Sequence, residues 1–316
     1  MKTQLTRRVL LPAAAGALAS CARAPEPPRQ PSPIAVLKAQ GYATDLLPLL
    51  RRGAQECGLD ARGKRVLLKP NLVEFDHKTC INTHPAVLAA TVELFRSLGA
   101  ADVRIGEGPG HRRDTLFLAE EAGYMEAVPR FESLFVDLNR DDVSRRPGFL
   151  HDDSIYLPNT ALQADLIVSL PKMKTHHWAG ATLSMKNYFG LVPGAVYGWP
   201  KNPLHYAGID RSIVGLSRIF RRNFAIVDGI IGMEGNGPIQ GTPKSSNVIV
   251  MGADLVAVDA TCCRIMGIDP TKVNYLGQAS DLGNLDESQI PQRGERIDAV
   301  HQRFQLIDQF SHLRLG

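Results

Sequence analysis

The sequence predicts an α/β protein whose mainly parallel sheet is flanked by helices. Two observations carry the prediction: apolar runs of strand length alternate with runs of helix length, and glycine or proline separates most of them. The run Ala-Asp-Leu-Ile-Val-Ser-Leu at 164–170 has the character of a buried strand. With 316 residues, the chain can form one domain or two lobes with a site between them, divided near 150–160 or near 210.

The predicted elements alternate along the chain, because turn residues interrupt the apolar runs at short intervals. Strands are predicted at 65–70, 103–107, 134–138, 164–170, 224–228 and 247–251. Helices are predicted at 44–57, 86–98, 115–122, 210–222 and 255–266, with a short one at 271–279. A loop at 71–83 and a glycine-rich loop at 229–241 are the long connections, and the second is either a lid over a ligand or a surface connection.

The N-terminus has the pattern of a bacterial export signal. Three basic residues precede an apolar run at 9–19, which is too short to span a bilayer by itself. Leu18-Ala-Ser-Cys21 resembles the lipoprotein processing box, which implies cleavage before Cys21 and acylation of that cysteine. Thr-Arg-Arg-Val-Leu-Leu at 6–11 also resembles a twin-arginine export signal. The alternative is an uncleaved signal anchor.

We therefore expect residues 1–21 to be a signal and the proline-rich residues 22–33 to be an extended tether. The α/β domain then occupies residues 34–316. The expected location is the cell envelope, in the periplasm or on the outer cell surface, with the protein held to the membrane by its lipid anchor.

The charge of the whole chain argues against a nucleic-acid partner. The formal net charge is +4, from 36 Lys and Arg against 32 Asp and Glu. Removing the three basic residues of the leader leaves 33 against 32, so the body is close to neutral. Any basic character is local.

Such a local concentration occurs at residues 166–209, which contain no aspartate or glutamate and are called the acid-free segment below. The segment leaves the end of a predicted strand, where ligands of α/β sheets commonly bind. Lysine ammonium groups bind anions, and histidine transfers protons near neutral pH. The segment contributes the anion contacts Lys172, Lys174 and Lys186 and the proton-transfer candidates His176 and His177.

Other predicted strands also end in polar residues. Lys69 and Asn71 follow the first, and the turn Gly106-Glu-Gly-Pro-Gly-His-Arg-Arg113 follows the second. The backbone amides of this turn and the side chain of Arg112 can hold an anion, and His111 is a further proton-transfer candidate. The alternative is an ordinary turn between a strand and a helix.

Carboxylates near the glycine-rich loop suggest a site for a hard cation. Asp228 ends a predicted strand and Glu234 lies in the loop, so the two can converge. Asp254 stands directly before a helix and is more simply an N-cap. The cysteines show no Cys-x-x-Cys spacing, and we expect the adjacent Cys262 and Cys263 to pack in the core.

Several motifs together resemble the bacterial and archaeal family known as domain of unknown function 362. They span residues 64–280, and two of them place His84 and Asn187 among the binding candidates. Some members of this family carry iron–sulfur ferredoxin modules, but this chain lacks those cysteine runs. The motifs are Lys69-Pro-Asn71, Thr83-His-Pro85, Gly106-Glu-Gly-Pro-Gly110, Leu170-Pro-Lys-Met-Lys-Thr-His176, Ser184-Met-Lys-Asn187, Phe189-Gly-Leu-Val-Pro-Gly194, Ile226-Val-Asp-Gly229 and Met233-Glu-Gly-Asn-Gly-Pro238.

A fainter resemblance is to the nickel-pincer lactate racemase family. It rests on His111, on the ten-residue separation of His176 and Lys186, and on His205. The resemblance implies an acid/base histidine pair, a nickel-ligating histidine and a lysine that holds the cofactor. The family's Asp-x-Thr-Arg-Pro substrate motif is absent here, and Asn82-Thr-His-Pro85 is the nearest stretch.

These observations favour an exported, lipid-anchored enzyme that acts on a small anionic substrate or cofactor by His and Lys acid-base chemistry, in the manner of an isomerase or racemase. The cofactor is unknown; a metal such as nickel or iron, or a metal-organic cofactor, is an expectation, with His205, Asp228 and Glu234 as its candidate ligands. The alternatives are a ligand-binding or iron–sulfur-associated redox accessory protein, and a structural envelope protein.

Overall fold

Helices and strands alternate through the part of the chain that the computed structural model describes, residues 32–110, 113–150 and 152–316. The strands are β1 (Ile34–Lys38), β2 (Arg65–Pro70), β3 (Asp102–Glu107), β4 (Phe135–Asp137), β5 (Val143–Phe149), β6 (Asp152–Pro158), β7 (Leu166–Leu170), β8 (Lys172–His176), β9 (Gly180–Thr182), β10 (Asn223–Glu234), β11 (Thr242–Gly252) and β12 (Gln292–Gly294).

The α-helices are α1 (Leu47–Glu56), α2 (Pro85–Ser97), α3 (Thr115–Glu121), α4 (Tyr124–Ala127), α5 (Phe131–Leu134), α6 (Asn159–Gln163), α7 (Gly194–Tyr197), α8 (Asn202–Tyr206), α9 (Ile209–Ile219), α10 (Leu255–Ile265), α11 (Asn274–Gln278) and α12 (Ile297–Val300). Short 3₁₀ helices lie at Lys186–Leu191, Pro270–Lys272, Glu287–Gln289 and Asp308–Leu313.

One large sheet organises these elements, in the order β12-β1-β11-β10-β7-β2-β3-β4. Its pairs are parallel except where β11 pairs with β1 and β10. After Pro171 the chain continues into β8, which runs parallel to the far half of β10, and β9 folds back against β8. The predicted α/β architecture with a mainly parallel sheet is confirmed, while the hairpin of β5 and β6 forms a separate two-stranded sheet.

The sheet is buried between two apolar layers because neighbouring residues of each strand face opposite sides. Leu67 joins one layer, whereas Val66 and Leu68 join the other. Helices α1, α2 and α3 cover the second layer, and α9, α10 and α11 cover the first. Cys262 and Cys263 are fully buried on α10, which confirms their predicted place in the core.

The glycine-rich stretch after Asp228 differs from the prediction. Strand β10 continues through Glu234 and pairs with β11, so the predicted loop at 229–241 is reduced to residues 235–241. Close packing requires glycine at position 232, because a Cβ there would lie 2.7 Å from the Met173 carbonyl oxygen. Six strands were not predicted, since each is short, rich in polar residues or adjoins another element: β1, β5, β6, β8, β9 and β12.

The described residues form one compact unit. Within them we find no division near 150–160 or near 210. No helix in the described ranges is long and apolar enough to span a bilayer. The signal, the lipid site Cys21 and most of the tether lie outside the described residues.

Candidate functional site

A cavity of about 600 Å³ opens at the carboxyl ends of β2, β3 and β8. This is the edge at which parallel α/β sheets usually place their ligands. Its walls come from the segments that follow β2 and β3, from β8 and the turn after it, from the 3₁₀ helix at 186–191 and from residues 200–205. Residues 236–240, the remaining part of the glycine-rich loop, form a further wall, called the roof below.

The cavity is strongly cationic. Four lysines line it, whereas Glu107 is the one carboxylate among the described lining residues. Each lysine has a pKa lowered by burial, because an ammonium group loses hydration in a dry site. The four are Lys69, Lys174, Lys186 and Lys201.

Lys69 is held at the floor of the cavity by the carboxylate. Its Nζ donates to Glu107 Oε2 at 2.5 Å and to Asn187 Oδ1 at 3.0 Å. Burial lowers the pKa of Lys69 although Glu107 opposes the shift. A Cβ at Gly190 would lie 1.9 Å from Glu107 Oε1, so glycine is needed for this chain segment to pack on the pair.

Lys174 and Lys201 bond to neutral oxygens instead. Lys174 Nζ donates to Asn71 Oδ1 at 2.7 Å, to the Ile81 carbonyl at 2.8 Å and to the Pro238 carbonyl at 3.2 Å. Lys201 Nζ donates to the carbonyls of Gly108 at 2.5 Å and Phe189 at 3.1 Å.

Both lysines sit in surroundings that disfavour a positive charge. Burial, reinforced by Lys172 and Lys186, lowers the pKa of Lys174 to about 7. Burial also lowers the pKa of Lys201 to about 7, against the opposing pull of Glu107. Both groups therefore change protonation readily near neutral pH.

Lys186 has no hydrogen-bond acceptor among the described residues. Its Nζ lies 3.6 Å from the centre of the Phe189 ring, a cation–π contact. Burial and the neighbouring Lys69 lower the pKa of Lys186 to about 7. Within the described residues this ammonium group has no counter-anion, so an anionic ligand in the cavity would supply one.

A buried carboxylate fixes the backbone that leads into Lys186. Asp259 on α10 accepts hydrogen bonds from the Ser184 amide at 2.8 Å, the Ser184 hydroxyl at 2.5 Å and the Met185 amide at 3.2 Å. Burial raises the pKa of Asp259 to about 7 against these bonds, which favour its ionised form. Asp259 therefore positions the residues that directly precede Lys186.

The two adjacent histidines both line the cavity. Their ring centres are 5.0 Å apart and the planes are tilted by 25°. His176 Nδ1 accepts from the backbone amides of Trp178 at 2.9 Å and Ala179 at 3.2 Å. His177 Nδ1 lies 2.7 Å from the Gly237 carbonyl oxygen. The Nδ1 atom of His176 therefore faces hydrogen-bond donors, whereas that of His177 faces an acceptor.

Aromatic side chains form the mouth of the cavity. Trp178 is 56% exposed and lies edge-on to His177 and His205, with ring centres 5.1 and 5.2 Å apart. Phe189 contacts His205 from the other side at 5.7 Å. The mouth is therefore aromatic and the floor is cationic, which suits a small anion with an apolar part.

Strand β8 and the residue after it hold the roof in place by hydrogen bonds. His177 bonds to Gly237, Lys174 bonds to Pro238, and the Thr175 hydroxyl donates to the Gly235 carbonyl at 2.9 Å. A Cβ at Gly237 would lie 2.1 Å from the Thr175 carbonyl oxygen, so only glycine fits there. The loop is thus fixed beside the cavity by β8, and its role as a lid stays a prediction.

Two predicted binding residues lie away from the cavity. Lys172 Nζ donates to Asp228 Oδ2 at 2.6 Å and to the Tyr42 hydroxyl at 3.0 Å. His84 caps helix α2, its Nδ1 accepting from Ala86, and its ring stacks on Tyr42 at 3.5 Å. Neither lines the cavity, because their partners hold both in a closed network around Asp228.

The predicted cation ligands are not brought together, and this part of the prediction is corrected. Asp228 pairs with Lys172, Glu234 accepts from the Gln305 amide at 2.8 Å, and His205 stands at the cavity mouth. No group of three or more His, Cys, Asp or Glu in the described ranges could hold a metal ion. The described side chains therefore do not fit a directly coordinated nickel or iron ion. Asp254 caps α10 as expected, accepting from Ala257.

The glycine turn after β3 is placed only in part. Gly108 and Gly110 line the cavity, but the Gly108 amide already donates to Glu107 Oε1 at 2.8 Å and is not free for an anion. His111 and Arg112 lie outside the described residues, so their roles stay predictions.

Of the predicted site residues, Lys69, Asn71, Lys174, His176, His177, Lys186, Asn187 and His205 line one cavity. That they bind a ligand or transfer protons stays a prediction. Lys201 was missed as a site residue although it lies in the acid-free segment. The backbone of Lys201 has a left-handed φ of 65°, which turns the chain at this point. No pattern in the sequence predicts this conformation for a lysine.

Comparison with known proteins identifies relatives of the chain. The profile of the family described as "Domain of unknown function (DUF362)" matches residues 66–264. A thylakoid-associated protein of Synechocystis is 31% identical over 269 residues, which cover 79% of each chain. The lactate racemase apoprotein from Thermoanaerobacterium thermosaccharolyticum is similar in structure, with a TM-score of 0.48 and 13% identity. That match covers 75% of this chain and 58% of the racemase chain.

Proposed function

The chain belongs to the DUF362 family, as its motifs indicate, and we propose that it binds a small anionic molecule in the cavity and moves a proton on it. The observation that carries this proposal is Lys186, a partly exposed ammonium group at the cavity wall that has no carboxylate partner among the described residues. Because the same cavity is lined by three buried lysines, a site built in this way is completed by an anion.

An anion would be bound by charge-assisted hydrogen bonds. Each such bond contributes about 1.5–3 kcal/mol. Lys186 is the first contact, because its ammonium group has no competing acceptor in the described residues. Lys174 and Lys201 add positive potential from behind, and binding of the anion would raise the pKa of all three lysines above 7.

Proton transfer is the chemistry that the remaining side chains support. His176 and His177 stand in the same cavity as Lys186. Imidazoles transfer protons at neutral pH and typically contribute a factor of about 10² to 10⁴ to a rate. An isomerase or racemase uses this chemistry alone, and we propose a reaction of that class.

Isothermal titration calorimetry with sulfate and a panel of small carboxylates and phosphate esters tests anion binding. We expect Lys186→Met to weaken binding at least tenfold, since one charge-assisted bond is lost. Lys64→Met is the matched control, because among the described residues Lys64 Nζ bonds only to the Asp60 carbonyl on the surface. Equal affinities of Lys186→Met and the wild type would refute the proposal.

A non-catalytic binding protein is the second candidate. It is favoured by the fact that Lys69, Lys174 and Lys201 already hold neighbouring chain segments in place. Deuterium exchange separates the two: an enzyme of this class exchanges a carbon-bound proton of the bound anion in D₂O. If carboxylates or phosphate esters of the panel bind tightly but none of them exchanges a carbon-bound proton, the binding protein is favoured.

We also propose that the chain is exported and anchored to the membrane through Cys21. The leader pattern supports this, and the relative from Synechocystis is described as thylakoid-associated. We expect the full chain to label with palmitate in vivo and to sediment with membranes. Cys21→Ala should abolish the label and shift the protein to the soluble fraction, whereas Cys57→Ala should not.

A further inference from the structure

The two adjacent histidines differ in which ring nitrogen can carry a proton. We propose that His177 is the proton acceptor of the cavity, through Nε2, and that His176 is a fixed Nε2–H hydrogen-bond donor beside it. This inference deepens the function proposed above and rests on it. It follows from hydrogen bonds to the backbone, where the donor and the acceptor are unambiguous.

His176 is restricted to one tautomer. Two backbone amides, of Trp178 and Ala179, both donate to Nδ1, so Nδ1 must keep its lone pair and the neutral ring carries its proton on Nε2. A proton added at Nδ1 would break both bonds. Burial, reinforced by Lys186, His177, Lys174 and His205, also lowers the pKa of His176 well below its ordinary value.

His177 has the opposite arrangement. Its Nδ1 lies 2.7 Å from the Gly237 carbonyl oxygen, which can only accept, so Nδ1 carries the proton and Nε2 the lone pair. A flipped ring would place a carbon at this distance, well inside the roughly 3.3 Å of a C–H···O contact. A proton added at Nε2 leaves the bond to Gly237 intact and strengthens it by charge.

Neither Nε2 has a hydrogen-bond partner among the described residues, and both rings line the cavity. In the proposed step, a proton leaves a carbon atom of the bound anion and forms an N–H bond with the His177 Nε2 lone pair. The electron pair stays on the anion. His176 Nε2–H donates to the oxygen on which that negative charge collects.

The substrate class follows from these three contacts. It is a small anion whose charged group meets Lys186. It also carries an oxygen that can accept from His176, next to a removable proton within reach of His177. Simple anions such as sulfate would bind but would not react.

Nuclear magnetic resonance of the full chain labelled with ¹⁵N-histidine tests the tautomers without any ligand. Long-range ¹H–¹⁵N spectra are recorded from pH 8 to pH 5, with His176→Gln and His177→Gln used to assign the signals. We expect His176 to keep the Nε2–H pattern throughout this range, and His177 to show the Nδ1–H pattern at pH 8. A His176 ring that gains a proton in this range, or a His177 ring in the Nε2–H form, would overturn the assignment.

Deuterium exchange tests the assigned roles with the panel of anions. We expect His177→Gln to lower the exchange rate at pH 8 at least hundredfold, because the proton acceptor is lost. His176→Gln should lower the rate less, because only a hydrogen-bond donor is lost. The reverse result would overturn the inference. Failure of the proposed function is recognised separately, when Lys186→Met binds anions as the wild type does.

Discussion

Two lysines on strand β8, Lys172 and Lys174, show how differently one strand can use the same side chain. They are two residues apart, so they share a face of the strand, and both are buried. Lys172 meets the carboxylate of Asp228 at 2.6 Å. Lys174 meets three neutral oxygens, and the charges of Lys172 and Lys186 help to lower its pKa. The charge of Lys172 is therefore neutralised by a carboxylate, whereas that of Lys174 is not.

The closed network around Asp228 has no capacity left for a ligand. Its carboxylate accepts from Lys172, from the Tyr42 hydroxyl at 2.8 Å and from the His84 amide at 2.9 Å. The cavity, in contrast, has more positive charge than its described residues balance. A buried charge that is paired, as around Asp228, therefore stabilises the fold, whereas buried lysines without carboxylate partners indicate a candidate binding site. Four experiments can test this distinction.

The largest effect is expected from Lys172→Met. This change leaves the Asp228 carboxylate buried without a cation, which typically costs about 3–5 kcal/mol of unfolding free energy. Urea denaturation of the variant measures the loss. Adding Asp228→Leu should recover part of it, because no unpaired charge is then buried. A Lys172→Met protein as stable as the wild type would show that the pair is dispensable.

A smaller loss is expected from Lys174→Met. The Ile81 and Pro238 carbonyls lose a donor, which costs about 1–3 kcal/mol, but no carboxylate is left unpaired. The same urea experiment should therefore rank Lys174→Met between Lys172→Met and the surface control Lys64→Met. If Lys174→Met were the most destabilising of the three, the two lysines would not differ as described.

The affinity for sulfate should fall as the pH rises from 6 to 8. Lys174, Lys186 and Lys201 each have a pKa of about 7, so they carry protons at the lower pH and lose them at the higher. Sulfate keeps its charge over this range. We expect about a tenfold increase in Kd for each of these lysines that contacts the anion, measured by calorimetry. A Kd independent of pH would mean that none of them binds the anion.

The fourth experiment measures a rise in stability with pH in the absence of multivalent anions. Between pH 7 and 8.5 the unfolded chain keeps lysine protons that the folded chain has lost, because the folded pKa of about 7 lies below the ordinary value. The unfolding free energy should therefore increase by about 1 kcal/mol per pH unit for each lysine.

The variant Lys186→Met is compared with the wild type in this measurement. The slope of its unfolding free energy against pH should be lower by about one third, because one of the three lysines is removed. Lys64→Met should keep the wild-type slope. Stability that falls over this interval would contradict the assignment of lowered pKa values.

The sequence located much of the cavity because a stretch of 44 residues without carboxylates is visible in the chain itself. It could not separate Lys172 from Lys174, since their difference lies in Asp228, which is 56 residues beyond Lys172. The same limit applies to Asp259, which reaches Ser184 across 75 residues. Pairing over such distances depends on the fold and leaves no local pattern.

The fold was predicted best where strands are apolar throughout, as at 164–170, and least well at the glycines of β10. Gly229 and Gly232 have the composition of a loop but lie inside a strand. A Cβ at Gly229 would lie 2.8 Å from the side chain of Met173 on the neighbouring β8. Close strand packing and flexible loops both select glycine, so composition cannot distinguish them.

Trp178 offers an optical readout that the protein carries itself. The indole is largely exposed at the cavity mouth and lies edge-on to His177, with ring centres 5.1 Å apart. A ligand that enters the cavity changes the surroundings of this indole. The emission of Trp178 should therefore report the arrival of a ligand, and Trp199, the second tryptophan, can be replaced to isolate that emission.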